Sequence, residues 1–300
     1  VQIARPGFIN FSLDNSWLVK QLAIILEENS GFGHVNIGSG QKVQVEFVSA
    51  NPTGPLHVAH ARAAVVGSAL ANILDSASYS VVREYYFNDA GNQINQFHLS
   101  LFARYRQLHS IETEMPKDGY QGDYVIDIAK EIKNAEGDRF LTLDEDDAVL
   151  ELGDKGLKIV LTSIKEDLQK LRIQFDSWFS ENSLHENGQF DATIDLLREK
   201  GYVSEKDGAV WFLSTKLGEE KDNVLIRKTG VPTYFGTDVA YHYNKFFERK
   251  FHRVINVWGA DHHGQAPRLN AAMHVLGVPP KSLDILFNQM VTFRQADSVK

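Results

Sequence analysis

The stretch Val43-Gln-Val-Glu-Phe-Val-Ser-Ala-Asn-Pro-Thr-Gly-Pro-Leu-His-Val-Ala-His60 decides the fold. Its first seven residues alternate and are rich in β-branched types, which predicts a strand, and Asn51-Pro-Thr-Gly-Pro55 then punctuates the chain. A helix is expected over 57–74, crowded with small residues (Ala59, Ala61, Ala63, Ala64, Gly67) that let it lie close against a sheet. A second strand is expected over 81–87 and a second helix over 93–108, so the unit reads strand, helix, strand, with a right-handed parallel crossover.

Working outward, residues 14–29 repeat apolar side chains at helical spacing (Trp17, Leu18, Leu22, Ile25), which predicts a helix that packs. Two charged helices are expected over 123–135 and 144–171, then a small β region over 202–213 with a turn at Lys206-Asp-Gly208. The parallel sheet is expected to resume over 224–227, followed by a helix over 236–245, a strand over 253–258, a helix over 266–276 and a strand over 284–291. The fold class is α/β: a Rossmann-like parallel-sheet nucleotide-binding fold split by an inserted subdomain. Residues 1–40 form a linker and leading helix, 41–110 the first half of the catalytic fold, 111–220 the insertion and 221–300 the second half.

Composition narrows the chemistry. The chain has 300 residues, no cysteine and a formal charge of -8, so disulfides, thiolate zinc sites and a cysteine nucleophile are excluded. A sequence pI near 5.8 opposes broad binding to phosphate backbones. The longest apolar run, 61–74, is broken by Arg62, Ser68 and Asn72 and is too short to cross a bilayer. A soluble, cytoplasmic chain is expected. It opens on Val1 without a signal-like segment, as would a piece of a longer protein.

Phosphate groups favour helix N-termini, where unpaired N–H groups and the helix dipole face them. Gly54 lets backbone approach a ligand, and His57 and His60 stand one turn apart, so both imidazoles can donate to one triphosphate. The same residues also fit an N-capped helix with two incidental histidines, or half of a zinc site without a third ligand. A second cluster, Trp258-Gly-Ala-Asp-His-His-Gly264, again sits between a strand and a helix. In an open parallel sheet both clusters face one crevice beyond the strand ends. Asp261 suits ribose hydroxyls and Gly259 leaves a purine room, while Asp-His-His also fits a metal. The run 245–253 mixes Lys245, Arg249, Lys250 and Arg253 with Phe246, Phe247 and Phe251. It reads as a solvated face with buried aromatics rather than as an RNA site.

Residues 46–60 (EFVSANPTGPLHVAH) resemble the HIGH signature of class I aminoacyl-tRNA synthetases, in the form typical of the arginyl-tRNA synthetases. Residues 82–95 (VREYYFNDAGNQIN), 221–242 (KDNVLIRKTGVPTYFGTDVAYH) and 259–264 (GADHHG) are similar to further segments of that family. The resemblance implies a ligase that forms arginyl-adenylate from arginine and ATP, with Mg²⁺ accompanying ATP, and transfers arginine to its tRNA. It implies that His57 and His60 are catalytic and hold the ATP phosphates beside Gly54. Gly259, Asp261 and His262 would bind adenosine, and Met290 and Val291 would meet the adenine edge. Glu46, Asn51, Tyr234 and Asp238 fall on the arginine pocket; no metal site is assigned. The partners implied are arginine, ATP and tRNA, for a chain acting as a monomer away from membranes. The family's KMSKS-type loop lies beyond the final strand, and its N-terminal and anticodon-reading domains do not fit in 300 residues, so these 300 residues alone are expected to be inactive or impaired in the reaction. Residues 1–11 then read as the linker from the former. Two rivals remain: a nucleotidyltransferase of the same superfold that needs no tRNA, and a synthetase-like binding paralogue.

Overall fold

The computed structural model describes residues 1–289 together with 291, 292, 294, 295, 298 and 299. Met290 therefore lies outside the described residues. Strands β1 (Gln2–Ala4) and β2 (Phe8–Asn10) pair as an antiparallel hairpin where a linker was expected, and α1 (Asn15–Glu28) follows. Asp14 caps α1 by accepting from the Ser16 N–H at 2.8 Å, so the helix forms locally. The expectation that α1 packs is not met: none of its residues is buried, and Trp17 and Leu22 are exposed.

The nucleotide-type unit then appears as β3 (Lys42–Glu46), α2 (Val58–Ser76), β4 (Ser80–Phe87) and α3 (Asn92–Leu108). Helices α4 (Asp123–Glu136) and α5 (Glu145–Lys170) stack on α3, and the chain returns through β5 (Ser177–Ser180), which pairs parallel with β4. This corrects the insertion expected over 111–220, because a strand of the central sheet lies within it. After α6 (Asn182–Glu186) and α7 (Gln189–Glu199), strands β6 (Val203–Lys206), β7 (Ala209–Phe212) and β8 (Asn223–Ile226) form a small antiparallel sheet. Residues 224–227 therefore do not resume the parallel sheet; a short run of apolar residues cannot itself specify a partner. Helix α8 (Tyr234–Tyr243), β9 (Arg253–Gly259), α9 (Ala266–Leu276) and β10 (Leu283–Asn288) complete the described core.

The five-stranded parallel sheet has the order β10-β9-β3-β4-β5, so the direction of winding reverses between β3 and β9. One face is apolar: Val43, Val45, Phe47, Tyr85, Ile255 and Val257 are buried in a cluster with residues of α2, α3, α4 and α5. The other face carries a buried polar row. Gln44 and Glu46 on β3, Glu84 on β4 and Asn256 on β9 are all at most 5% exposed, and Glu46 is in register with both Glu84 and Asn256. The alternation in β3 therefore marks two covered faces, one of them polar.

Candidate functional site

The polar row ends in a cavity of about 410 Å³. Glu46, Ser49 and Asn51 approach from the end of β3, Tyr86 and Asn88 from β4, Glu181 from β5, Trp258 and His262 from β9, and Asp238 and Tyr234 from α8. The site thus lies beyond the carboxyl ends of four adjacent strands, at the reversal in strand order, where open α/β sheets bind ligands. The four residues assigned to an arginine pocket, Glu46, Asn51, Tyr234 and Asp238, all line it.

Local geometry fixes each of them. Past β3 the backbone folds on itself, with φ of 69° at Val48 and 43° at Ser49 and the Ser49 N–H donating to the Phe47 carbonyl at 3.0 Å. That tight turn swings the Ser49 hydroxyl back to donate to Glu46 Oε1 at 2.9 Å. Asn51 donates from Nδ2 to Gln93 Oε1 at 2.6 Å, leaving its own oxygen open. Tyr234 opens α8 and is 58% exposed, at the rim. Thr233 caps that helix by accepting from the Gly236 N–H at 3.1 Å, which sets where Tyr234 and Asp238 stand.

Three carboxylates surround the cavity, and they are not equivalent. Glu46 is paired with Lys245 at 2.5 Å. Glu181 accepts from the Tyr86 hydroxyl and makes no ion pair among the described residues. Burial raises Glu181 to about 7; the Tyr86 bond opposes the rise and the charge of Asp89 adds to it. Burial, reinforced by the charges of Glu46 and Glu181 and opposed by those of Lys245 and Arg268, also raises Asp238 to about 7. Among the described residues, Glu46 is thus the one of the three that makes an ion pair. A guanidinium supplies positive charge in a planar fork matched to paired carboxylates.

Next to the cavity, the turn of 51–57 delivers the chain to α2. His57 is the exposed cap of that helix, and its N–H donates to His60 Nδ1 at 3.2 Å. The two rings stack with centroids 3.7 Å apart. Burial first, and His57 second, lower His60 to about 4, so it is neutral with Nδ1 accepting and Nε2–H free to donate. Neither histidine lines the cavity. Gly54 has a different neighbour from the one expected: a Cβ there would lie 3.2 Å from the Tyr124 hydroxyl, so the missing side chain makes room for α4.

The second cluster is a short helical turn, Ala260–Gln265, on the end of β9. Asp261 Oδ2 lies 3.5 Å from His262 Nε2, and Gln265 Nε2 lies 2.9 Å from His262 Nδ1. The space beside Gly259 is filled by the Asp261 carboxylate, 2.3 Å from where a Cβ would stand, rather than left open. His262 lines the cavity while Asp261 and His263 are exposed. Val291 is half-buried, just past β10. Among the described residues no group of three or more His, Asp or Glu is placed to hold a metal ion.

Sequence reasoning missed Glu181, Tyr86, Gln93 and Lys245. Glu181 follows a four-residue strand and carries no spacing signal; only the pairing of β5 with β4 brings it in. The solvated face expected over 245–253 is overturned at Lys245, which is 0% exposed, and at Arg249, which is mostly covered and forks onto Glu84.

A family model described as tRNA synthetases class I (R), catalytic domain, matches residues 21–295. An arginine–tRNA ligase of Dehalococcoides mccartyi is 49% identical over 295 residues, covering 98% of this chain and 53% of that protein. One from Carboxydothermus hydrogenoformans is 50% identical over 295 residues, with the same coverage of 98% and 53%. A solved Campylobacter jejuni structure, named for arginyl-tRNA synthetase, superimposes with a TM-score of 0.86 at 36% identity, over 96% of this chain and 63% of that one. The chain spans about half the length of the curated relatives it matches.

Proposed function

The chain belongs to the class I tRNA synthetases of the arginine type, matched through the catalytic domain, and on that premise we propose that it serves arginine–tRNA ligation. The observation that carries the reading is the cavity itself: three carboxylates, of which Glu46 alone makes an ion pair among the described residues, at the winding reversal of a parallel sheet.

Glu46, Glu181 and Asp238 receive the guanidinium, and Asn51 holds the α-amino end. The arginine carboxylate attacks the α-phosphate of ATP, forming arginyl-adenylate and releasing pyrophosphate. A terminal ribose hydroxyl of the tRNA then attacks the arginyl carbonyl and AMP departs. No enzyme nucleophile is required; the chain contributes positioning and preorganised donors. Neutral His60, with Nε2–H outward, and His57 donate to the phosphates as charge grows on the leaving pyrophosphate. Gly259, Asp261, His262 and Val291 support the adenosine half. Mg²⁺ arriving with ATP would supply charge neutralisation at the phosphates and would be held chiefly by them, since among the described residues no group of three or more His, Asp or Glu is placed to hold a metal ion. No helix among the described residues is long and apolar enough to cross a membrane. We place the protein in the cytoplasm, as a monomer, with a split catalytic fold working on the acceptor end of the tRNA.

The test is ATP–pyrophosphate exchange by the full-length protein, in the presence of tRNA, with arginine, lysine and citrulline. Arginine alone should support exchange. A guanidinium site rejects analogues that leave its buried acceptors unpaired by about 10⁴–10⁵. Exchange that runs with another amino acid, or without any, overturns the reading.

A further inference from the structure

The run 245–253 looked like a solvated charged face, yet its first lysine is the most enclosed cation in the described chain. Lys245 is 0% exposed. Its ammonium donates to Glu46 Oε2 at 2.5 Å and to Asn256 Oδ1 at 3.0 Å, and lies 4.0 Å from the centroid of the Tyr241 ring. Asn256 is itself held, because its Nδ2 lies 2.7 Å from His242 Nε2, while His242 Nδ1 lies 2.7 Å from the Asp238 carbonyl. Burial and the neighbouring ammonium keep His242 well below its usual range, so Nδ1–H donates and Nε2 accepts.

The backbone is shaped to deliver the ammonium there. Residues Asn244–Glu248 form a π-helical turn directly after α8, a local widening that is common at functional sites. The consequence falls on Glu46. With Lys245 on one oxygen and Ser49 on the other, the carboxylate is held on both sides at the cavity wall. Its remaining lone pairs are turned to a ligand without a rotamer search. A buried glutamate lacking such a partner would tend to take up a proton and lose its use as an acceptor.

We infer that Lys245 is a positioning residue for arginine recognition, pinning Glu46 in place as a guanidinium acceptor without touching the substrate; this rests on the reading of the cavity as an arginine pocket. Glu84, the next carboxylate on the same row, is held by both terminal Arg249 nitrogens; it attracts the ammonium through charge, while the hydrogen bond goes to Glu46.

The experiment is calorimetric titration of the chain with arginine and, separately, ATP, for wild type, Lys245→Met, Glu46→Gln and the double variant, with urea unfolding as a control. Lys245→Met should weaken arginine binding by about 10–100-fold, the loss typical of a displaced charged contact, and leave ATP affinity unchanged. The double variant removes both charges and buries no lone ion, so it tests the idea even where Lys245→Met fails to fold. It should bind arginine within about twofold of Glu46→Gln alone, because residues acting through one contact are not additive. The buried ammonium should also give a slowly exchanging ¹H–¹⁵N resonance, absent from Lys245→Met, that shifts on adding arginine but not ATP. A double variant about tenfold or more weaker than Glu46→Gln, or ATP affinity falling in step with arginine, overturns the inference while leaving the pocket intact. Wild-type chain that binds no arginine defeats the pocket reading itself, and this inference with it.

Discussion

At the scale of single residues, the site works by holding side chains in protonation states that they would not adopt in water. His60 is neutral because burial and a stacked histidine lower it to about 4. Its one outward hydrogen is therefore present across the neutral range, and His57→Ala or His60→Ala should lower arginyl-adenylate formation by about 10²–10³. Arginine binding should stay at the wild-type level in both, and unchanged pyrophosphate exchange would remove the histidines from the chemistry. Asp238 and Glu181 are perturbed in the opposite sense, each raised to about 7 from ordinary values of 3.8 and 4.5. The folded chain therefore holds protons that the unfolded chain releases. Stability from these groups falls as pH rises from the unfolded values through about 7. Arginine pairs the ionised carboxylates and returns that stability. Its affinity should rise between pH 6 and 8, and the arginine-induced increase in Tm should grow over the same interval. A pH-independent increase would mean that the carboxylates meet no guanidinium. Asp238→Asn should flatten the trend and weaken arginine far more than ATP.

At the scale of elements, helix α2 shows why its small residues were legible and other features were not. A Cβ built on Gly67 would stand 2.2 Å from Cγ of Phe47, which is 0% exposed just past β3. Gly67→Ala should thus cost about 1–3 kcal/mol in urea unfolding, outweighing the roughly 1 kcal/mol that alanine gains in a helix. A stabilised variant would show that α2 can lift from the sheet freely. The close packing of α2, and the strands around it, could be read in advance because periodicity reports which residues face a neighbour. Identity of the neighbour is another matter. Residues 224–227 have the pattern of a core strand but pair with β7, and α1 has a packing stripe of which no residue is buried. Glu46 and Asp238 were legible through a signature, whereas Glu181 needed a sheet register and Lys245 needed the partner 199 positions away. Charge runs are ambiguous for the same reason: the residues in them do not reveal whether a carboxylate row lies beneath.

At the scale of the whole molecule, the long excursion between β4 and β5 is built into the site rather than hung beside it. It returns in β5, whose end supplies Glu181, and α4 within it reaches across to the turn before α2. There the Tyr124 hydroxyl donates to the carbonyl of Thr53 at 2.7 Å, and its ring fills the space beside Gly54. Thr53 is 8% exposed, so its carbonyl has little access to water if that donor is lost. Tyr124→Phe keeps the ring and deletes only the donor, which isolates the tie between the excursion and the histidine-bearing turn. Unfolding free energy should drop by about 1–3 kcal/mol, the cost of leaving a buried acceptor unpaired. The consequence for ligands should be one-sided. Glu46 and Asp238 are anchored by β3 and α8, and Glu181 by β5, none of which depends on that bond. Arginine affinity should hold while ATP affinity and the rate of adenylation fall, as the turn carrying His57 and His60 relaxes. Equal losses for both ligands in calorimetry would mean that the excursion braces the entire cavity and not the phosphate side of it.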